Sequence, residues 1–111
     1  MTDIGNYAFS NCNKLKRIVI PDSVTEIGKS AFYHCSNLKS IVVDKGNPRY
    51  DSRNNCNAII KTATNTLVCG CSTTIILDSV TTIGSWAFYG CANLTSIVIP
   101  DSVTTIGSGA F

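Results

Sequence analysis

At 111 residues the chain has one domain as its ceiling, and a second independent core is excluded. With 44% apolar and 14% charged residues it is too apolar for a disordered chain, and no apolar run reaches the ~18–20 residues that cross a bilayer. The formal charge of +2 gives no reason to expect nucleic acid as partner or membrane insertion. All nine Lys and Arg residues lie between Lys14 and Lys61, and beyond Lys61 only Asp78 and Asp101 are charged, so one end carries a mildly basic face. Its simplest reading is a solvated surface.

Close to a third of the chain is Ser, Thr or Asn and isoleucine dominates the aliphatics, a mix that suits short strands and tight polar turns. Taken from the N-terminus, Ile4-Gly5 with Ala8-Phe9 opens a pattern that returns at Ile27-Gly28 with Ala31-Phe32, at Ile83-Gly84 with Ala87-Phe88 and at Ile106-Gly107 with Ala110-Phe111. The spacings are 23, 56 and 23 residues. Between the tetrads runs Cys-x-x-Leu-x-x-Ile-Val-Ile-Pro-Asp-Ser-Val-Thr, read from Cys12 to Thr25 and again from Cys91 to Thr104, with a partial copy from Cys35 to Val43. The gap of 56 resolves into one enlarged 33-residue turn, about residues 41–73, and one ordinary turn of 23. In the enlarged turn, Asn57-Ala58-Ile59-Ile60 and Thr66-Leu67-Val68-Cys69 flank Thr62-Ala63-Thr64-Asn65 and predict a β-hairpin.

Self-similarity at this period, with one short strand per repeat, predicts a solenoid of roughly four turns. One turn buries about six apolar side chains at ~1.5–3 kcal/mol each, while ordering its backbone costs ~1–2 kcal/mol per residue, so no turn folds alone. The register sets inward columns of Leu15, Leu38, Cys71 and Leu94, of Ile18, Ile41, Thr74 and Ile97, and of Ile20, Val43, Ile76 and Ile99. Phe9, Phe32, Phe88 and Phe111 are expected to stack across the core. Side chains alternate along a strand, so Val19, Val42, Ile75 and Val98 face outward, preceded by Arg17, Ser40, Thr73 and Ser96. These eight form the candidate binding face. Each glycine after the tetrad isoleucine is expected to serve a positive φ or a close backbone approach.

The repeated phrase Cys-x-x-Leu-x-x-Ile-x-Ile-Pro-x-x-Val-x-x-Ile-Gly-x-x-Ala-Phe resembles the BspA-like leucine-rich repeat of bacterial surface and secreted proteins. The resemblance covers nearly the whole chain, and Asn47-Pro48-Arg49-Tyr50-Asp51-Ser52 resembles a longer repeat variant of that family. It implies a β-rich, right-handed leucine-rich-repeat solenoid with one parallel sheet lining one face. It also implies an extracellular or cell-surface location and adhesion to host matrix or microbial surface proteins. The motif is specific for fold and names no ligand-binding residue.

Six cysteines in a short chain invite a disulfide framework, but Cys12, Cys35 and Cys91 share one slot, which the long turn fills with Val68, and Cys71 fills a leucine slot. Cysteine here exchanges with aliphatics, which predicts buried thiols; a Cys56–Cys69 bridge across the hairpin is the one pairing worth testing. Cys69-x-Cys71 lacks the spacing of a zinc site, and the sole histidine, His34, falls in a surface turn. No metal or cofactor is expected. No nucleophile–base pair or phosphate-binding loop stands out, and Asp22, Asp78 and Asp101 recur before Ser-Val, where they are expected to satisfy backbone donors. The sequon at Asn93 includes Leu94, an inward residue, and is read as incidental.

The resulting expectation is a non-enzymatic protein-binding or adhesion module, residues 1–111 being one fragment of a larger secreted or surface protein. The alternative is a spacer that projects other domains. A spacer would show a uniformly polar face, a binder a contiguous aliphatic and basic one. The chain opens directly in the repeat, as expected of an excerpt or of a chain whose signal peptide has been removed, and with no capping segment read at either terminus the end faces are expected to fray or to self-associate, end-to-end stacking above all.

Overall fold

The computed structural model describes residues 3–5, 8–9, 12, 14–28, 31–32, 37–91, 94 and 96–111. His34, Cys35 and Asn93 lie outside the described residues. Among the described residues nine short strands follow in chain order: β1 (Asp3–Ile4), β2 (Arg17–Ile20), β3 (Glu26–Ile27), β4 (Ser40–Val43), β5 (Tyr50–Asp51), β6 (Ile59–Lys61), β7 (Thr66–Cys69), β8 (Thr82–Ile83) and β9 (Thr105–Ile106). Among the described residues one 3-10 turn, Arg53–Asn55, stands between β5 and β6.

Repeat-to-repeat pairing is parallel: Asp3 opposes Glu26, Arg17 opposes Ser40, and Thr82 opposes Thr105, each 23 residues apart. The strands fall into two rails where one strand per repeat was expected. One rail is the Ile-Val-Ile phrase of β2 and β4; the other is the pair of residues before each glycine, in β1, β3, β8 and β9. Nor is there one continuous sheet. The described strands form three ladders, β1–β3, β2–β4 and β5–β6–β7–β8–β9. Segments 74–76 and 97–99 repeat the β2 sequence yet carry no strand pairing.

The enlarged turn is the cause. Its hairpin forms as read, β6 antiparallel to β7 with Ile60 opposite Leu67, and β5 adds a third strand that sequence did not foresee. This small meander interrupts the ladders: β7 takes the place beside β8, while β3 pairs with β1 alone among the described strands. The core divides with it. Ile4, Ile20, Leu38, Ile41 and Ile59 belong to one buried cluster, and Ile60, Leu67, Ile76, Ile83 and Phe88 to another. Ile59 and Ile60 serve different clusters because consecutive side chains point to opposite faces of a strand.

The phenylalanine column is likewise two pairs. Phe9 stacks on Phe32 and Phe88 on Phe111, each at 5.2 Å between ring centroids and within 5° of parallel. The place between the pairs belongs to Gly70. Its N–H donates to Ala87 O at 2.9 Å, as the N–H of Phe9 donates to Ala31 and that of Phe88 to Ala110. In the enlarged turn the tetrad has shortened to Leu67-Val68-Cys69-Gly70, with Leu67 opposite Ile83 in the place of the tetrad isoleucine. Val68 therefore aligns with Gly84 and not with the cysteine slot that counting assigns to it. Glycine is required at position 70, because a Cβ there would meet the Phe88 ring at 2.2 Å. Gly107 serves close approach, its added Cβ falling 2.5 Å from Ser85 N.

Backbone closes the Pro-Asp-Ser-Val turns: Val24 N–H donates to Pro21 O, Val80 N–H to Leu77 O, and Val103 N–H to Pro100 O. Among the described residues no bond from Asp22, Asp78 or Asp101 to a backbone donor is seen, whereas the Ser102 hydroxyl reaches Val80 O of the neighbouring turn at 2.8 Å. The enlarged turn is fastened to its neighbour by Asn47, whose amide nitrogen donates to Pro21 O (3.0 Å) and Val24 O (2.8 Å) while Oδ1 accepts the N–H groups of Arg49 and Tyr50. Net hydrogen-bond contributions near ~1 kcal/mol, discounted for partial exposure, put the cost of Asn47→Ala at about 2 kcal/mol. Urea unfolding checks this; a loss below ~0.5 kcal/mol would mean that water replaces the amide at no cost.

Candidate functional site

On β2 and β4 burial alternates as the pleat demands. Ile20 and Val43 are buried, while Val19 is 52% and Val42 36% exposed. Val19 opposes Val42, and Arg17 opposes Ser40 one row earlier, so these four candidate residues share one outer face. The other four are placed differently. The Thr73 hydroxyl donates to Lys39 O, tying it to the backbone of the preceding turn. The Ile75 N–H donates to Cys56 O at 3.1 Å, so Ile75 sits against the enlarged turn and not against β4. Ile75 and Val98 are 65% and 83% exposed, and Ser96 is exposed as well.

What lies beside β4 is segment 52–57. Ser52 Oγ accepts the Val43 N–H at 2.9 Å, Asn57 Oδ1 accepts the Ile41 N–H at 3.4 Å, and the Thr74 hydroxyl donates to Asn57 O. Side chains thus take over the acceptor role of a missing strand. Among the described residues no buried side-chain polar atom is left without a partner. Asn54, Asn55 and Asn57 hold left-handed backbone, with φ of 53°, 54° and 56°. Asparagine adopts that conformation more readily than bulkier residues. The Asn54-Asn55-Cys56-Asn57 run was the sequence signal for this wall, and it went unread.

Between strand face and wall runs an open trough of about 620 Å³. Val19, Val42 and Val43 form its floor, Asp51 to Asn55 its wall, and Asp44 and Lys45 one end. Arg53 is held in place. Its Nε and Nη2 donate to the two oxygens of Asp51, both at 2.6 Å, and Nη1 donates to Asn65 Oδ1 at 2.9 Å. The Thr62 hydroxyl adds a bond to Asp51 at 2.7 Å. Burial pushes the Asp51 carboxyl up, but the bonds from Arg53 and Thr62 outweigh it and hold the group below the usual carboxylate range. Arg53 therefore braces the wall and is spent as an anion ligand, whereas Arg49 is exposed and only 3.9 Å from Glu26.

Cys56 and Cys71 are free and buried, so the Cys56–Cys69 bridge is not formed; Cys12, Cys69 and Cys91 are half-buried. Burial pushes the Cys56 thiol up, away from the reactive thiolate. No group of three or more His, Cys, Asp or Glu side chains converges among the described residues. No described helix is long and apolar enough to cross a membrane. A second cleft, about 260 Å³, opens where β3 and β7 do not pair; there the Ile27 N–H donates to Tyr50 Oη at 3.2 Å. The chemistry on offer at the trough is surface recognition: an aliphatic floor, an amide-rich rim and cations at its margins.

Parallel pairing at a repeat offset, aliphatic and phenylalanine columns and the near absence of helix define a strand-rich leucine-rich-repeat protein. The chain belongs to the BspA-type leucine-rich repeat family, whose model matches residues 1–58 and 67–111 in six copies. It is similar to a leucine-rich repeat protein from Eubacterium ventriosum, with 35% identity and a TM-score of 0.81, and to a leucine-rich cell surface protein from Faecalibacterium prausnitzii, with 34% identity and a TM-score of 0.79. Each match covers 100% of this chain, which spans 30% of the length of either relative. The pneumococcal vaccine antigen PcpA shares the fold at 20% identity and a TM-score of 0.79, over 97% of this chain and 27% of its own. A search of curated proteins found no match.

Proposed function

We propose that this chain is a non-enzymatic protein-binding segment of a larger cell-surface protein, and that it binds through the outer face of β2 and β4 and the adjoining trough. The observation that carries this reading is the exposed pair Val19 and Val42, set side by side on the β2–β4 ladder at the floor of a trough of about 620 Å³. Contiguous exposed aliphatics with a polar rim mark interaction surfaces, and a spacer has no use for them. The cell-surface description of the Faecalibacterium relative supports a cell-surface setting, and adhesion is the task this reading gives the face. The 23-residue offsets between paired parallel strands support a solenoid, enlarged once about residues 41–73, and the strong preference of parallel crossovers for the right hand supports its handedness.

The test is surface plasmon resonance against fibronectin, laminin and collagen. Binding to one of them, weakened about tenfold by Val19→Ser with Val42→Ser while circular dichroism stays unchanged, is the expected outcome. Unchanged affinity would move the site to the enlarged turn around Arg49.

A further inference from the structure

Trp86 stands on backbone that disfavours it. Its φ is 64°, in the left-handed region, and the corresponding residue of the next turn is Gly109, at 63°. Bulky side chains are outliers there, and residues held in such conformations cluster at functional sites. Burial does not account for the tryptophan either. It is 40% exposed, and in the run 82–91 it is the one exposed residue.

The orientation of the indole follows from Gly109. A Cβ added to that glycine would fall 2.5 Å from both Cε3 and Cζ3 of Trp86 and 3.0 Å from Cδ2. A point so placed lies over the ring and not beyond its edge, so one face of the indole is laid on the following turn. The opposite face looks back toward the enlarged turn, where the tetrad has shortened. Leu67 to Gly70 spans in four residues what Ile83 to Phe88 spans in six, and the enlarged turn has no counterpart of Ser85 or Trp86. The Tyr89 ring meets the indole at 79°, with centroids 5.0 Å apart, and gives the corner a second wall. Its surroundings are neutral: segments 67–72, 82–91 and 105–111 contain no charged side chain. The second cleft, which Ser85 also lines, adds Glu26 and Lys61, one charge of each sign.

We propose that Trp86 and Tyr89 form a carbohydrate site, in which the open indole face carries a neutral pyranose ring. The C–H groups on one face of such a ring bear partial positive charge, which the negative face of an aromatic ring attracts. Its hydroxyls find like groups beside the indole: Ser85 precedes Trp86 in its own turn, half-buried, and Ser108 precedes Gly109 in the next, exposed. A nucleobase also stacks on tryptophan, but its phosphates need cations, and a sulfated glycan needs them too. A peptide would bring aliphatic side chains to a turn that exposes no aliphatic of its own. The site belongs to other segments than the valine face, and its failure leaves that face untouched.

Trp86 is the single tryptophan of the chain, so its fluorescence reports this corner alone. The probes are cellotetraose, mannotetraose and chitotetraose, titrated into the whole chain, with tetramethylammonium and tetraproline as comparison ligands. The expected result is a saturable change in emission with at least one tetrasaccharide at millimolar concentration, unaltered by ~0.5 M salt because no charge is involved. Saturation-transfer NMR, which needs no tryptophan, should show binding weakened about tenfold or more by Trp86→Gly and severalfold by Tyr89→Ala. Glycine suits the backbone at 86 as it does at 109, and circular dichroism checks that the variant folds. If Trp86→Gly does not fold, the titration of the unaltered chain decides by itself. The proposal is overturned if no tetrasaccharide changes the emission at tens of millimolar, if tetramethylammonium or tetraproline changes it and no sugar does, or if sugar binding keeps its strength in a folded Trp86→Gly.

Discussion

Phe88→Ala lowers the unfolding free energy by about 3–5 kcal/mol, the range for truncating a buried phenylalanine. The residue is 2% exposed, stacks on Phe111 and lies directly over the α-carbon of Gly70, so no neighbour is free to refill the space. Against a stability of about 5–15 kcal/mol for an ordinary domain this is a large fraction. Gly70→Ala alone costs about 1–3 kcal/mol, because its methyl group collides with the ring. In the Phe88→Ala background that methyl enters the vacated space, so the double variant loses less than the two single losses combined. Chemical denaturation of all four proteins checks this. Additive losses would show that the ring moves aside and that glycine is not required at 70.

Asp51→Asn is expected to cost about 2–3 kcal/mol at neutral pH, since charge-assisted hydrogen bonds are stronger than neutral ones and Arg53 is left partly buried beside a neutral amide. The side chains are 29% and 22% exposed, so solvent tempers the loss without abolishing it. The pH dependence has a definite sign. Hydrogen bonding holds the folded carboxyl below its unfolded value near ~3.9, so its contribution is complete above that value and fades as pH falls through the folded pKa. The stability difference between wild type and Asp51→Asn should therefore be constant from pH 7 to about 5 and shrink below about 4. Other carboxylates titrate in both proteins and cancel in the difference. A pH-independent difference would mean that Asp51 acts by shape and not by charge. Loss of the brace should also loosen the Asp51–Asn55 wall, which faster amide exchange at Asn54 and Asn55 would report.

The repeat, its period, the inward columns and the outward valines were legible in the residues. Each follows from local rules: alternation along a strand, β-branched side chains at strand positions, and a hydrophobic phrase copied at a constant interval. The inward Leu38, Ile41, Val43 and Ile76 are buried and the outward Val19, Val42, Ile75 and Val98 exposed, as the register demands, but Ile99, counted into an inward column, is 41% exposed. The hairpin was legible for the same reason, two apolar runs around a polar turn. The second rail was missed because two residues before a glycine make too short a signal, and only pairing with a neighbouring repeat turns them into a strand.

The sequence by itself determined the family, the repeat and the direction of the residues in β2 and β4, because these depend on neighbours within one turn or at one constant offset. Tertiary structure alone decided what the enlarged turn does to the stack. Where Leu67 pairs, that Gly70 occupies a phenylalanine place, and that Ser52 and Asn57 stand in for a missing strand beside Val43 and Ile41 all depend on contacts at no repeat offset. Counting assumes that every turn sits on the last in the same way. A backbone whose hydrogen bonds must be satisfied keeps that rule only until an insertion offers other partners, and here those partners turned a flat face into a trough.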